Sequence, residues 1–573
     1  MSCGVPGMED AGCLFLFGYN PSASHPIVSR RIVKAKEKGA KIIVADPRVI
    51  ETARIADIYL PLKNGSNIAF LNAFANVIVT EGLVDEEFVK EHTLGFDEWW
   101  DTIKEYTPEN TQEITGVDPQ LLREAARMYA TAEPSSILCW GMGVCQHLQN
   151  VEAVHACAAI ACVSGQIGKP NSGVAPVRGQ NNVQGACDMG ALPNYFPGYQ
   201  KVTDPDIRQK FADHWNVPVE ALSDHVGYKV SDLPRLIEEG KIRAFYNFGE
   251  DPVQTEPDVP HLTKMLEKLD LFVCQDIFMT QTAAMADVVL PATSWGEHEG
   301  VFTACDRTFQ YFSQAVPPKG ECKHDWQIFS ELAERMGYDM HWENAQQIWD
   351  EECRALWPAA YGATYEKMAG TGHAQWPIPT LDHPGTPDLF LGGKFTTPEG
   401  KAHLVAHDYR DPTEMPDEEF PLILCTVREV GHYSCRSMTG NCKVLALLAD
   451  EPGELRIHPD DAKERGIRDG ELVRAWSRRG ETMSRAVIDE RVNAGTVYMT
   501  YQWWIGKCNN LTLHHVDDRS RTPEDKFSAC QVEALPDQKW AERHLQELYS
   551  QLKENLAETA AAQHVEPTCE GAE

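Results

Sequence analysis

The chain has 573 residues, 43% of them hydrophobic, and a formal net charge of −33 at pH 7. That length accommodates several domains with ordinary cores, while so acidic a surface repels phosphate backbones and argues against nucleic acid as a partner. No apolar run reaches the roughly 18–20 residues that span a bilayer, and the most apolar stretch, "AVHACAAIACV" (153–163), reads instead as a buried helix.

In chain order, "CLFLFGYNP" (13–21) comes first, and the apolar run Leu14 to Phe17 predicts a strand covered on both faces, as in the middle of a parallel sheet. A helical stretch from Ile27 to Lys38 follows, then "KIIVADPR" and "TARIADIYLPL". The same plan returns far downstream as "AFYNFGEDP", a helical stretch from Pro260 to Leu269, "LFVCQDIF" and "QTAAMADVVLPATS". Gly18 precedes Asp46 by 28 positions and Gly249 precedes Asp276 by 27, while Asp57 and Asp287 each follow by 11. Apolar runs ending in polar clusters are the pattern of open α/β sheets, which bind ligands beyond the carboxyl ends of their strands. Gly18 and Gly249 let the backbone turn and approach a ligand. Asp46 and Asp276 are positioned to bond a ribose hydroxyl or a guanine edge, or simply to cap turns. Neither unit holds G-x-G-x-x-G, so two similar nucleotides on two similar half-sheets are expected rather than a standard NAD site.

Between these units lies "GKPNSGVAPVRGQNNVQGACDMG" (168–190), poor in charge and dense in amides. Such a loop suits a large heterocycle, and Arg178 offers a fork that can hold a carboxylate; a solvated surface loop is the plainer alternative. The 17 cysteines include no C-x-x-C pair, which points to reduced, buried thiols and assigns no metal ligand. "GEHEG" (296–300) lacks a second histidine at ligand spacing, so Glu297, His298 and Glu299 read as structural. Residues 296–418 mix a helix, Trp326 to Met336, with loops. From Pro421 onward the texture is β-like: "PLILCTV", "GELVRAWS", "ETMSRAVI" and "GTVYMTYQWW", with a short helix, a turn at Asp469-Gly470 and a hairpin among them. Leu545, Leu548, Tyr549, Leu552 and Leu556 recur at helical spacing, predicting an amphipathic helix packed on the body, and the tail after Ala560 is expected to be disordered.

The stretches "FGYNPSASHPI", "KIIVADPR", "PVRGQNNVQGACDMG", "GEDPVQT", "QDIFMTQTAAMADVVLPATSWGEHEGVFT", "REVGHYSCRSMTGN" and "YMTYQWWIG" resemble the molybdopterin oxidoreductases, nearest to formate dehydrogenase catalytic subunits of the formate-hydrogenlyase type. The resemblance covers nearly the whole chain. It implies an α/β fold of duplicated Rossmann-like αβα domains, one over 1–178 and an incomplete one with its connecting segment over 179–418. A β-barrel cap over 419–536 and a helix and tail over 537–573 complete the expected organisation. The implied cofactor is molybdenum or tungsten held by two molybdopterin guanine dinucleotides, one for each half-sheet. Asn20, Ser24, Asp46, Gly65, Asn67, Met142, Gln146 and Gln180 match contacts to one dinucleotide. Asp251, Thr255, Gln275 and Asp325 match the guanine end of the other. Arg428, His432, Ser434, Tyr501, Asn510 and Lys526 match residues closing over the pterins, although His432 reads equally as a bonded core histidine. Arg178 matches the arginine that orients formate.

The resemblance further implies two-electron oxidation of formate to CO2 in a cytoplasmic, anaerobic setting. The implied electron partner is a ferredoxin, a hydrogenase arm or an NAD-reducing subunit. Another molybdopterin oxidoreductase, such as a nitrate reductase, and a non-catalytic cofactor-binding subunit are the alternatives. The family's chain opens with four cysteines that bind a [4Fe–4S] cluster, followed by a metal-ligating cysteine or selenocysteine and a histidine, and these motifs are absent from this sequence. Met1 is therefore expected not to be the biological start, with a selenocysteine codon read as a stop, a split enzyme or a pseudogene fragment as the candidate causes. On that expectation the half-sheet around residues 240–295 exposes an apolar edge, and the chain by itself binds cofactor poorly and does not turn over formate.

Overall fold

In the computed structural model of the protein, which describes residues 1–562 except 372 and 450, Cys13–Phe17 forms strand β1 with all five residues buried. Strands β2 (Lys41–Ala45), β3 (Ile58–Leu60), β4 (Ser136–Trp140) and β5 (Gly173–Pro176) join it in the order β3-β2-β1-β4-β5. All the pairings are parallel, and Cys13 stands opposite both Lys41 and Ser136. Strand β1 is apolar on both faces because helices cover both. Leu14 and Leu16 pack with Val28, Ile32 and Ala35 of helix α1 (Pro26–Glu37). On the other face Phe15 stacks on Phe74 at 5.0 Å and Phe17 on Phe70 at 5.3 Å, both from helix α2 (Asn67–Thr80). Each ring so buried stabilises the fold by roughly 1.5–3 kcal/mol. The "AVHACAAIACV" stretch falls in helix α3 (Asn150–Val163), which packs beside α2 in the same core.

A second parallel sheet has the order β8-β7-β6, with β6 (Ala244–Phe248), β7 (Leu271–Asp276) and β8 (Val288–Pro291). Helix α4 (Val259–Leu266) covers one face through Leu262, Met265 and Leu266. Cover elsewhere is thinner: Phe248, Leu271 and Val288 are 48%, 44% and 43% exposed. The equal spacing to Asp57 and Asp287 has a structural cause. Asp57 accepts a hydrogen bond from the Ile42 amide at 2.8 Å, and Asp287 accepts one from the Phe272 amide at 2.7 Å. In each sheet a carboxylate satisfies an amide on the neighbouring strand, a bond that holds only in one register.

Residues 300–303 and 308–312 form an antiparallel hairpin that the sequence reading left as mixed structure. Helix α5 (Asp325–Arg335) follows. The C-terminal region closes into a barrel in the order β9-β13-β10-β12-β11-β14, built from β9 (Leu422–Val427), β10 (Glu454–Ile457), β11 (Leu472–Trp476), β12 (Glu481–Ile488), β13 (Thr496–Thr500) and β14 (Ser528–Ala534). Two of the six strands, β10 and β14, were not evident in the sequence. The first has only four residues, and the second interrupts its apolar positions with Ser528, Gln531 and Glu533.

Helix α6 (Gln538–Ala562) packs on the barrel at its start and reaches Arg436 and Trp504 through Tyr549. Among its described residues Ala541 and Leu545 are buried, beside Leu472. The rest of the predicted stripe, Leu548, Tyr549, Leu552 and Leu556, is half-buried. Helical structure continues to Ala562, beyond the predicted helix end, and the rest of the predicted tail lies outside the described residues. No helix among the described residues is long and apolar enough to cross a membrane.

Candidate active site

The carboxyl ends of both parallel sheets and the loops of the barrel face one another across a cleft of about 1370 Å3. Two backbone segments of its wall meet closely at Gly18, after β1, where φ is +55°. The Gly143 amide donates to the Gly18 carbonyl at 3.1 Å, and a Cβ on Gly18 would meet the Gly143 carbonyl carbon at 2.8 Å. Only glycine allows this approach. Asp46 and Asp276 close β2 and β7 on the cleft wall. Each caps the turn after its strand: Asp46 accepts from the Arg48 amide at 2.9 Å and Asp276 from the Ile277 amide at 2.6 Å.

Polar side chains are held by one another around the cleft. Ser24 donates to the Asn20 carbonyl at 2.7 Å, and Asn67 donates to the Gly143 carbonyl at 3.1 Å. Gln180 donates to Ser434 at 3.2 Å, so the amide-rich loop touches the barrel side. On the second sheet Gln275 donates to Asp325 at 2.8 Å, and Thr282 donates to Asp251 at 2.6 Å. From the barrel, Arg428 donates to the Tyr501 hydroxyl at 2.8 Å, and Lys526 donates to the Thr426 carbonyl at 2.5 Å.

Removal from water sets the charge state of this wall. Burial pushes the Asp276 and Asp525 carboxyls up to about 6. Burial, with Asp525 and Glu250 nearby, pushes Glu256 to about 8. Burial also lowers the Lys526 ammonium and takes the His147 ring down to about 4. The wall meanwhile carries Arg48, Lys63, Lys229, Arg428, Arg521 and Lys526, so at neutral pH it is far less acidic than the rest of the chain. Among the described residues, the Tyr19 hydroxyl, His147 Nδ1 and Asp525 Oδ1 are buried polar atoms of this wall without a hydrogen-bond partner. Such atoms mark a surface shaped for a polar occupant.

The structure brings most of the residues singled out in the sequence to this cleft: Asn20, Ser24, Asp46, Gly65, Asn67, Met142, Gln146, Gln180, Asp251, Thr255, Gln275, Asp325, Arg428, Ser434, Tyr501 and Lys526 all line it. Three do not. His432 is turned into the barrel side, with Nδ1 on Thr439 at 2.9 Å and Nε2 on the Ala449 carbonyl at 2.7 Å, the bonded core histidine of the plainer reading. Asn510 donates to the Glu481 carbonyl at 3.3 Å, and its neighbour Asn509 faces the cleft instead. Arg178 does not line the cleft, although its neighbours Val177 and Gly179 do, and its guanidinium lies 3.0 Å from the Cys187 sulfur. Residues that the sequence reading missed include His25, Arg48, Asn64, Glu256, Tyr433, Asn509 and Asp525. Arg48 sits inside "KIIVADPR", His25 inside "FGYNPSASHPI" and Tyr433 inside "REVGHYSCRSMTGN", so these three were legible there.

A parallel α/β body opening onto a barrel across a polar cleft defines a class. The family model "Molybdopterin oxidoreductase" matches residues 1–335, and "Molydopterin dinucleotide binding domain" matches residues 422–529. The chain belongs to the molybdopterin oxidoreductase family, and it is an oxidoreductase whose cofactor is a molybdenum or tungsten pterin.

Within that family its relatives include formate dehydrogenases. Formate dehydrogenase H of Escherichia coli (strain K12) is 53% identical over 564 residues, which are 98% of this chain and 78% of that protein. F420-dependent formate dehydrogenase 1 subunit alpha of Methanococcus maripaludis is 43% identical over 93% of this chain and 78% of its own length. Among solved structures, acetylene hydratase from Pelobacter acetylenicus shares the fold, with a TM-score of 0.70 at 20% identity over 93% of this chain and 81% of that one.

Proposed function

We propose that this chain is the catalytic subunit of a formate dehydrogenase and oxidises formate to CO2 in the cleft between the two sheets and the barrel. The observation that carries this reading is the cleft lined by both sheets' strand ends and by Val177 and Gly179, the residues flanking Arg178. The two parallel sheets act as a duplicated pair of Rossmann-like half-sites, each taking one molybdopterin guanine dinucleotide. Asp46 and Asn20 serve one half; Asp251, Gln275 and Asp325 serve the other. When bound, the molybdenum or tungsten pterin supplies a sink for two electrons.

The chain's own residues hold and orient. The amides of Gln146, Gln180, Asn181 and Asn182 suit the many neutral donors and acceptors of a pterin, and the cations of the wall suit pyrophosphates. The unpartnered Tyr19 and Asp525 atoms fit an occupant with its own polar edge. Arg178 binds the formate carboxylate through its fork, steadied by Cys187. Electrons then pass to a separate partner, a ferredoxin, a hydrogenase arm or an NAD-reducing subunit.

The test begins with the molybdenum, tungsten and guanine content of the purified protein. Formate-dependent and nitrate-dependent dye assays follow, with the chain alone and with a polypeptide carrying a four-cysteine cluster segment. Two guanines per metal with formate oxidation is the expected result. Loaded protein that reduces nitrate and leaves formate untouched would overturn the reading.

A further inference from the structure

Behind the cleft lies a second, small cavity of about 10 Å3, lined by Gly65, Asn67, Ile68, His147, Leu148, Gln149, Arg410, Pro412 and Glu524. That is about the size a single water needs, and Asn67, His147, Gln149, Arg410 and Glu524 supply its polar partners. His147 lines both this cavity and the main cleft, and its Nδ1 is buried without a partner among the described residues. Glu524, which also lines this cavity, is 1% exposed, and its Oε2 is equally without a hydrogen-bond partner among the described residues. Beyond it, His515 Nδ1 lies 3.8 Å from Glu524 Oε2, and the His515 side chain is 40% exposed. One water-sized cavity is thus lined by two residues with unsatisfied buried atoms, and a partly exposed imidazole lies 3.8 Å from one of them.

We propose that His147, Glu524 and His515 form the route by which the proton released in the cleft reaches solvent. This rests on the formate reading. Oxidation of HCOO− breaks the C–H bond, gives CO2, delivers two electrons to the cofactor and leaves one proton to be exported. A site walled by protein must carry that proton away through groups that both accept and donate it. Glu524 suits the middle position: burial raises its carboxyl to about 7, against hydrogen bonds from Thr413 and the Leu148 amide, with Glu414 raising it further. His147 faces Lys526 and the Gly143 carbonyl, while Arg410 is the cation on the cavity wall. His515 also meets the Thr413 hydroxyl at 3.1 Å.

Infrared titration of the purified chain reads Glu524 without any substrate. The native protein is expected to show a protonated-carboxyl band that disappears near pH 7, and Glu524→Gln to lack it. In cofactor-loaded enzyme, Glu524→Gln and His515→Ala are expected to oxidise formate roughly tenfold more slowly in dilute buffer. Added imidazole, a diffusible proton carrier, is expected to restore His515→Ala alone, a rescue that a merely structural role for His515 would not give. Unchanged rates for both variants in dilute buffer would overturn the route. If the native loaded enzyme leaves formate untouched, the functional reading fails and takes the route with it; a native protein that oxidises formate but lacks the carboxyl band overturns the route alone.

Discussion

Gln146 and Asp525 are 379 positions apart in sequence, and the Gln146 side-chain amide donates to Asp525 Oδ2 at 2.7 Å. The Lys526 amide reinforces the contact by donating to the Gln146 carbonyl at 3.2 Å. This is where the first sheet's loops are tied to the barrel across the cleft floor. Gln146→Leu is expected to destabilise the protein by about 1–3 kcal/mol, since Asp525 then keeps no satisfied oxygen. Because the Asp525 carboxyl titrates at about 6, the loss is expected to be larger at pH 8 than at pH 5. Urea unfolding at both pH values, compared with Gln146→Leu in an Asp525→Asn background, measures the coupling.

Glu524 gives a stability prediction independent of catalysis. Its carboxyl is raised from an ordinary 4.5 to about 7 by burial. A group raised in this way contributes stability that is complete below 4.5 and is lost as pH climbs through 7. Glu524→Gln is therefore expected to match the parent at pH 4 and to exceed it by up to about 3 kcal/mol at pH 8. Parallel pH profiles for the two proteins would contradict this.

The loop that carries Tyr433 and Ser434 over the cleft is anchored by Arg436, whose side chain is fully buried against Glu451 at 2.5 Å. The guanidinium stacks 4.8 Å from Trp503 and 4.7 Å from Trp504, and it donates to Tyr549 of α6 at 3.0 Å. Glu451 also accepts from the Trp504 and Ile505 amides. Glu451→Ala is expected to cost about 3–5 kcal/mol, because removing one member of a buried ion pair leaves the desolvated guanidinium with less compensating charge. Limited proteolysis should then cut first between residues 428 and 452.

At Gly18 an alanine would combine a left-handed backbone with a Cβ 2.8 Å from the Gly143 carbonyl carbon. Gly18→Ala is expected to lower stability by about 1–3 kcal/mol and to reduce bound guanine in loaded protein, since the two loops must part at the cleft wall. Normal guanine content in a stable variant would show that the crossing can relax.

Arg178→Lys keeps the charge and removes the planar fork. With formate as substrate, KM is expected to rise at least about tenfold with a smaller change in kcat. Cys187→Ala, which removes the 3.0 Å sulfur contact, should shift KM in the same direction by less.

Much of the architecture was legible in the chain. Four consecutive apolar residues at Leu14 to Phe17 could be satisfied only by cover on both faces, and α1 and α2 supply it. Barrel strands β9, β11, β12 and β13 likewise announced themselves through dense apolar and β-branched runs. Strands β10 and β14 did not, because a four-residue strand and one bearing Gln and Glu become strands through the neighbours that pair with them. The matched spacing to Asp57 and Asp287 was visible, but its meaning was not. Only the strand pairing reveals that both carboxylates tie amides.

The same division holds for the site. Local chemistry in the sequence determined which residue types gather: strand-end glycines and aspartates, an amide-rich loop, and an arginine able to fork a carboxylate. These are properties of short stretches, set by backbone conformation and side-chain donors within a few positions. Tertiary structure alone decided which of them face the cleft. Asn509 rather than Asn510 is presented, and His432 is consumed by Thr439 and Ala449. Asp525 and Glu524 acquire their raised carboxyl values only when segments hundreds of residues apart exclude water from them. Desolvation depends on everything that packs around a group, and no local stretch of sequence carries that information.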